Sequence, residues 1–168
     1  MDKFIILSPY SNRLIVKDQT GKEVEMQNAK NYPYFETVVQ LLKLDGESVV
    51  QIGVTGERKI AGVDDFFLNI KFIEIEKLLH QAKFFIAVDN FLPHLANATG
   101  IQKGIVIFGP SDPLLFGYSQ YENILKDRKY LRNDQWHKWV KCQFNADAFV
   151  EPEIIAQTAH KLSRSLTW

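Results

Sequence analysis

Apolar residues in this chain fall into short continuous runs separated by amphipathic stretches. Phe4 to Leu7, Ser48 to Val54, Phe84 to Val88 and Gly104 to Phe108 are apolar almost throughout. Runs of that length predict strands buried on both faces. Between them the period changes. Phe35, Val38, Val39 and Leu42 stand at i, i+3, i+4 and i+7 and make one helical stripe. Pro33 suits the first turn of that helix and Gly46 suits its stop. A second helix is predicted from about Lys71 to Ala82, with Phe72, Ile75, Leu78 and Leu79 on one side. A short third runs from about Phe91 to Thr99, closed by Gly100, and a last from about Pro152 to Ser163, with Ile155, Ala159 and Leu162 aligned. Leu14 to Val16 and Val24 to Met26 flank Asp18-Gln19-Thr20-Gly21, which reads as a hairpin or an ordered excursion. A short strand is expected near Phe67 to Ile70, and the stretch from Gly109 to about Ala148 reads as irregular.

Strands alternating with helices predict an α/β fold: a Rossmann-like parallel sheet with helices on both faces. With 168 residues, no repeat and no linker-like tract, the chain reads as one domain spanning residues 1–168. Such sheets bind ligands at the carboxyl ends of their strands, so the loops after each strand hold the candidate chemistry.

Composition narrows the classes of function. Lys plus Arg and Asp plus Glu both number 20, giving zero formal net charge. That argues against bulk attraction to nucleic acid or to an anionic membrane surface. One cysteine, Cys142, permits no internal disulfide and no Cys/His metal cluster. No metal and no cofactor is expected. The lone cysteine, and an N-terminal apolar run too short for a signal peptide or a membrane span, point to the cytoplasm. The Trp136-His137-Lys138-Trp139 segment reads as packing of an irregular stretch rather than a base-stacking patch.

Five loops are candidates. Ser8-Pro9-Tyr10-Ser11-Asn12-Arg13 brings Ser8, Ser11 and a guanidinium that can hold phosphate oxygens, or is an ordinary polar turn. Lys30 lies just before the first helix, where it can reach an anion or remain a solvated surface lysine. Gly53-Val54-Thr55-Gly56-Glu57-Arg58 permits a sharp turn and close backbone approach, with Glu57 able to accept from ribose hydroxyls or to stand as an exposed loop carboxylate. Asp89-Asn90-Phe91-Leu92-Pro93-His94 is the sharpest. Asn90 is a good N-cap, the helix start offers free N–H groups to a diphosphate, and His94 can add a donor. Capping alone would explain Asn90 equally well. Phe108-Gly109-Pro110-Ser111-Asp112-Pro113 fixes a rigid loop, with Ser111 and Asp112 as ligand contacts or as local caps. There is no Walker motif, no G-x-G-x-x-G and no G-x-S-x-G elbow.

Taken in order, these segments resemble the C-terminal half of glycosyltransferase family 9, the bacterial heptosyltransferases of GT-B fold. Lys30-Asn31-Tyr32-Pro33 stands where the family has Lys-x-Trp-Pro. Gly53 to Glu57 stands where it has a Gly-rich turn with a glutamate. Asp89-Asn90-Phe91-Leu92-Pro93-His94-Leu95-Ala96 stands where it has Asp-Ser-Gly-Pro-x-His-Leu-Ala, and Phe108-Gly109-Pro110-Ser111 where it has Phe-Gly-Pro-Thr. The resemblance covers residues 4 to about 162. It implies a nucleotide diphosphate-sugar as ligand, in cell-surface polysaccharide synthesis, with Lys30, Glu57, Asp89 and His94 facing it: Glu57 on the ribose, Lys30 and His94 towards phosphates. Phe91 departs from the family glycine and can reshape or block that pocket. The family's catalytic base lies in its N-terminal half, and no residue here matches it, so the catalytic residues are unknown. An acceptor half is then expected from a partner chain or from a homo-oligomer. The alternatives are a non-catalytic nucleotide-sugar-binding or regulatory protein, and an assembly domain without ligand.

Overall fold

A computed structural model describes residues 3–12, 14–136 and 142–165. Arg13 and the His137-Lys138-Trp139 segment considered above lie outside the described residues.

Six strands form one wholly parallel sheet: β1 (Ile5–Ser8), β4 (Val49–Gly53), β5 (Asp65–Leu68), β6 (Phe84–Val88), β7 (Gly104–Phe108) and β8 (Glu122–Leu125). Their order is β5-β4-β1-β6-β7-β8. Renumbered along the sheet's own chain order this is 3-2-1-4-5-6, the doubly wound arrangement. The expected α/β, Rossmann-like fold is therefore the observed one. A separate antiparallel ribbon, β2 (Leu14–Lys17) with β3 (Glu23–Met26), forms the expected hairpin outside the main sheet.

Every residue of β1, β6 and β7 is buried, because helices cover both faces and alternate side chains go to opposite sides. Ile5, Leu7, Ile86 and Ile107 pack beneath α1 (Phe35–Leu44) and α5 (Pro152–Arg164). Ile6, Phe85, Val106 and Phe108 pack beneath α2 (Phe72–Gln81) and α3 (Phe91–Ala98). Each such aliphatic or aromatic side chain contributes roughly 1.5–3 kcal/mol by leaving water.

Three local details differ from the sequence reading. Pro33 sits in a turn before α1, which starts at Phe35 with Tyr34 as its N-cap. The strand expected at Phe67 to Ile70 is β5, shifted towards the N-terminus to Asp65–Leu68. The stretch read as irregular holds a one-turn helix, α4 (Pro113–Phe116), and β8 on the sheet's outer edge. An edge strand packs weakly on its exposed side. Glu122 is exposed and the next three residues are only half-buried, so the segment lacks the apolar run that marks the central strands. The predicted stop of α1 holds: Gly46 has φ +79° and donates to Lys43 O at 3.1 Å, while Glu47 N donates to Leu42 O at 3.0 Å. These are the paired bonds of a Schellman motif.

Candidate functional site

Strand order reverses between β1 and β6, and Ser8 and Ala87 lie side by side there near the carboxyl ends of their strands. A crevice at this position is where open α/β sheets take ligands. The residues that follow both strands converge on it.

Asn90 joins the two sides. Its Oδ1 accepts from Leu92 N at 2.9 Å, capping α3. Its Nδ2 donates to Ser8 Oγ at 2.9 Å, Tyr10 O at 2.9 Å and, more weakly, Ser8 O at 3.2 Å. One amide thus fixes the loop after β1 against the start of α3. In the first turn of α3, Asn90 takes Leu92 N and Pro93 has no N–H, so the helix end contributes its partial positive charge there more than a set of free donors.

Lys30 Nζ lies 2.7 Å from Asp89 Oδ2 and 5.8 Å from the Phe116 ring centroid. Asp89 is buried, and the Lys30 side chain is 17% exposed. Removing either partner would strand a charge in a largely dry place. Lys30 reaches this position because its backbone is held: Lys30 N donates to Asn28 Oδ1 at 2.9 Å, and Asn28 Nδ2 donates to Asn12 O at 2.7 Å. Ser11 N donates to Asn31 Oδ1 at 2.8 Å. These three bonds tie off the base of the β2–β3 ribbon between the Ser8 loop and Lys30.

The turn after β4 stands on the other flank. Glu57 N donates to Val54 O at 3.0 Å and Gly56 has φ +92°, the signature of a type II turn with glycine at its third position. Glu57 folds its carboxylate back, with Oε2 accepting from Val54 N at 3.0 Å. Gly53 makes room for that: a Cβ there would come 2.5 Å from Glu57 Oε2 and 2.9 Å from the Phe66 ring. A cavity of about 410 Å³ opens between this turn, the base of the ribbon and the start of α1, with Ser11, Tyr10, Arg58 and Glu57 in its wall. Burial pushes the Tyr10 phenol up, partly offset by a hydrogen bond with Arg58. Arg58 also pairs with Glu36 at 3.1 Å.

The structure therefore gathers Ser8, Lys30, Asp89 and Asn90 at one point and sets Ser11 and Glu57 in the wall of one cavity, with Gly53 behind Glu57. His94 lies one turn along α3, exposed, its Nδ1 sharing a 2.8 Å hydrogen bond with Tyr118 Oη. That leaves Nε2 for a ligand. Ser111 is buried, and its hydroxyl has no hydrogen-bond partner among the described residues. Asp112 is spent locally. It caps α4 through Leu114 N at 3.0 Å and takes Arg128 in a two-pronged pair at 2.6 and 3.1 Å. The guanidinium hydrogen bonds hold its carboxyl below the usual range.

Gln51 escaped the sequence reading. Wholly buried in β4, it donates to Arg58 O at 2.9 Å and accepts from Ile60 N at 2.7 Å, fixing the loop that carries Glu57. A lone polar residue in an apolar strand was the available signal. Among the described residues no His/Cys/Asp/Glu group could hold a metal ion, and no helix is long and apolar enough to cross a membrane.

No family model and no curated protein matches the sequence. Solved structures match the fold. The dodecameric iron-containing heptosyltransferase TibC, in complex with ADP-D-beta-D-heptose, superposes with TM-score 0.69 at 22% identity, over 99% of this chain and 47% of its own. A second structure of TibC, from enterotoxigenic E. coli H10407, gives 0.70 at 23% identity, over 98% and 47%. E. coli heptosyltransferase WaaC with ADP gives 0.61 at 15% identity, over 95% and 44%. The chain spans about half the length of the enzymes it resembles, and its fold is the glycosyltransferase-like fold of that half.

Proposed function

We propose that the chain binds a nucleotide diphosphate-sugar at the carboxyl ends of β1, β4 and β6 and forms the donor side of a glycosyl transfer. The observation that carries this reading is the Ser8–Lys30–Asp89–Asn90 cluster at the point where strand order reverses. It lies in a fold shared with enzymes solved with ADP and with ADP-D-beta-D-heptose. The diphosphate would lie against the start of α3, with Lys30 and His94 as its charged and hydrogen-bonding partners and Glu57 on the ribose. Their part in transfer is electrostatic: fixed donors stabilise the charge that builds on the departing nucleoside diphosphate as the sugar bond breaks. The acceptor and its base would come from a partner chain or a second copy, and the setting would be the cytoplasm.

Calorimetric titration with ADP, UDP and GDP tests the reading. Binding by one of them, weakened about tenfold or more in Lys30→Ala and in His94→Ala, is expected from loss of a charge-assisted contact. No binding, or binding indifferent to both substitutions, refutes it. A non-catalytic binder is the second reading, favoured by Phe91 at the first position of α3. Its ring leans on Phe72, with centroids 5.8 Å apart, and remains 40% exposed. A chain that binds the nucleotide sugar yet neither transfers nor hydrolyses it, with no second protein recovered alongside, favours that reading.

A further inference from the structure

Asn69 follows β5 and is the one non-glycine residue with positive φ among the described residues, at 56°. Left-handed backbone at such a residue costs free energy and persists where surroundings impose it. Here the surroundings are the Glu57 turn. Asn69 N donates to Gly53 O at 2.9 Å, at the turn's entrance. Its Oδ1 accepts from Thr55 N at 3.0 Å, and its Nδ2 donates to Thr55 Oγ1 at 2.7 Å. Thr55 is the second residue of the type II turn, so Asn69 grips the corner that water would otherwise solvate. Gln51 pins the far side through Arg58 O and Ile60 N. The turn between them is thus held at its entrance, corner and exit, and Glu57 stands in the wall of the cavity beside it.

We infer that Asn69 is a positioning residue: by gripping Thr55 it fixes the Val54–Glu57 turn so that the Glu57 carboxylate meets the two ribose hydroxyls of the nucleotide. This rests on the function proposed above. A floppy turn would bind the same ribose after paying to become ordered, so the gain from Asn69 is affinity that depends on Glu57 and on the hydroxyls. It is not a contact of Asn69 with the ligand.

The test uses the full chain and the tightest-binding of ADP, UDP and GDP, beside its 2′,3′-dideoxy analogue. Asn69→Ala should weaken binding of the ribonucleotide about five- to tenfold, as loss of one or two hydrogen bonds at an ordered turn predicts. It should change binding of the dideoxy analogue less than about twofold, and add nothing in a Glu57→Gln background. Asn69→Asp, which keeps the acceptor for Thr55 N, should recover most of the affinity. Asn69→Gly removes the grip while relieving the backbone, so it should lose affinity as alanine does; it is the variant measured if the alanine chain does not fold. Equal losses on both nucleotides, additivity with Glu57→Gln, or full affinity in Asn69→Gly overturns the inference and leaves the donor-site reading standing. If the wild-type chain binds none of the three nucleotides, that reading fails and takes this one with it.

Discussion

Asn90 is the residue whose removal should do most damage for its size. Its amide caps α3 and cross-links the loop after β1. Loss of an Asn cap costs about 1 kcal/mol. The amide has two hydrogens for three acceptors, so at most two of its bonds are strong. Each is worth about 1 kcal/mol net, and more where an acceptor is left buried; Ser8 is 3% exposed. Asn90→Ala should therefore cost about 3 kcal/mol, a large part of the roughly 5–15 kcal/mol that holds a domain together. Asn90→Ser keeps the cap but not the cross-link and should lose about 2 kcal/mol. Asn90→Asp also keeps the cap, yet sets a carboxylate against the Ser8 and Tyr10 carbonyls and beside Asp89, and should be no better than serine. Urea denaturation followed by tryptophan fluorescence measures the series. With a slope near 2 kcal/mol per molar, the alanine midpoint should fall by about 1.5 M. A shift under about 0.3 M, or serine no better than alanine, would refute this division between cap and cross-link.

Gly53→Ala should drive Glu57 off its seat, since the new methyl group would meet Oε2 at 2.5 Å; nucleotide titration should show several-fold weaker binding alongside a modest loss of thermal stability. Gln51→Leu keeps the apolar strand but strands Arg58 O and Ile60 N, and should cost about 2 kcal/mol in urea unfolding. The native carboxyls of Asp64 and Asp112 lie below their ordinary values, chiefly through Lys43 and Arg128 respectively. On acidification the unfolded chain takes up protons first, near the usual ~3.9. Stability from these groups is thus complete above that pH and lost as pH falls through their lower native values. Melting temperatures measured from pH 5 down to pH 2.5 should drop, and Asp112→Asn should flatten the fall.

How far the sequence went depended on whether a feature was local. Central strands announced themselves because burial on both faces leaves little polar to interrupt them, Gln51 in β4 being an exception. The helices with a one-sided apolar stripe did the same. β8 was hidden because an edge strand with Glu122 and Asn123 at its start has no such run. At the site, the loops were legible as loops after strands, and the cap role of Asn90 was legible from its neighbours. What Asn90 does with its amide nitrogen was not: Ser8 and Tyr10 are 82 and 80 residues away. Asp112 seemed as ready for a ligand as for a cap until Arg128, sixteen residues on, took it. Partners brought together only by the sheet leave no trace in spacing.

The tied base of the β2–β3 ribbon has a consequence for engineering. Three short bonds involving Ser11, Asn12, Asn28, Lys30 and Asn31 close the ribbon where it leaves the crevice. These bonds, rather than the ribbon tip, hold the backbone of Lys30 in place. The ribbon tip, with Asp18 holding Thr20 and Lys22 in a self-contained turn, is thus a graft point. A peptide tag or a small reporter domain can be spliced there at the slowly growing entropic cost of a longer loop, giving a handle beside the crevice that leaves its floor intact.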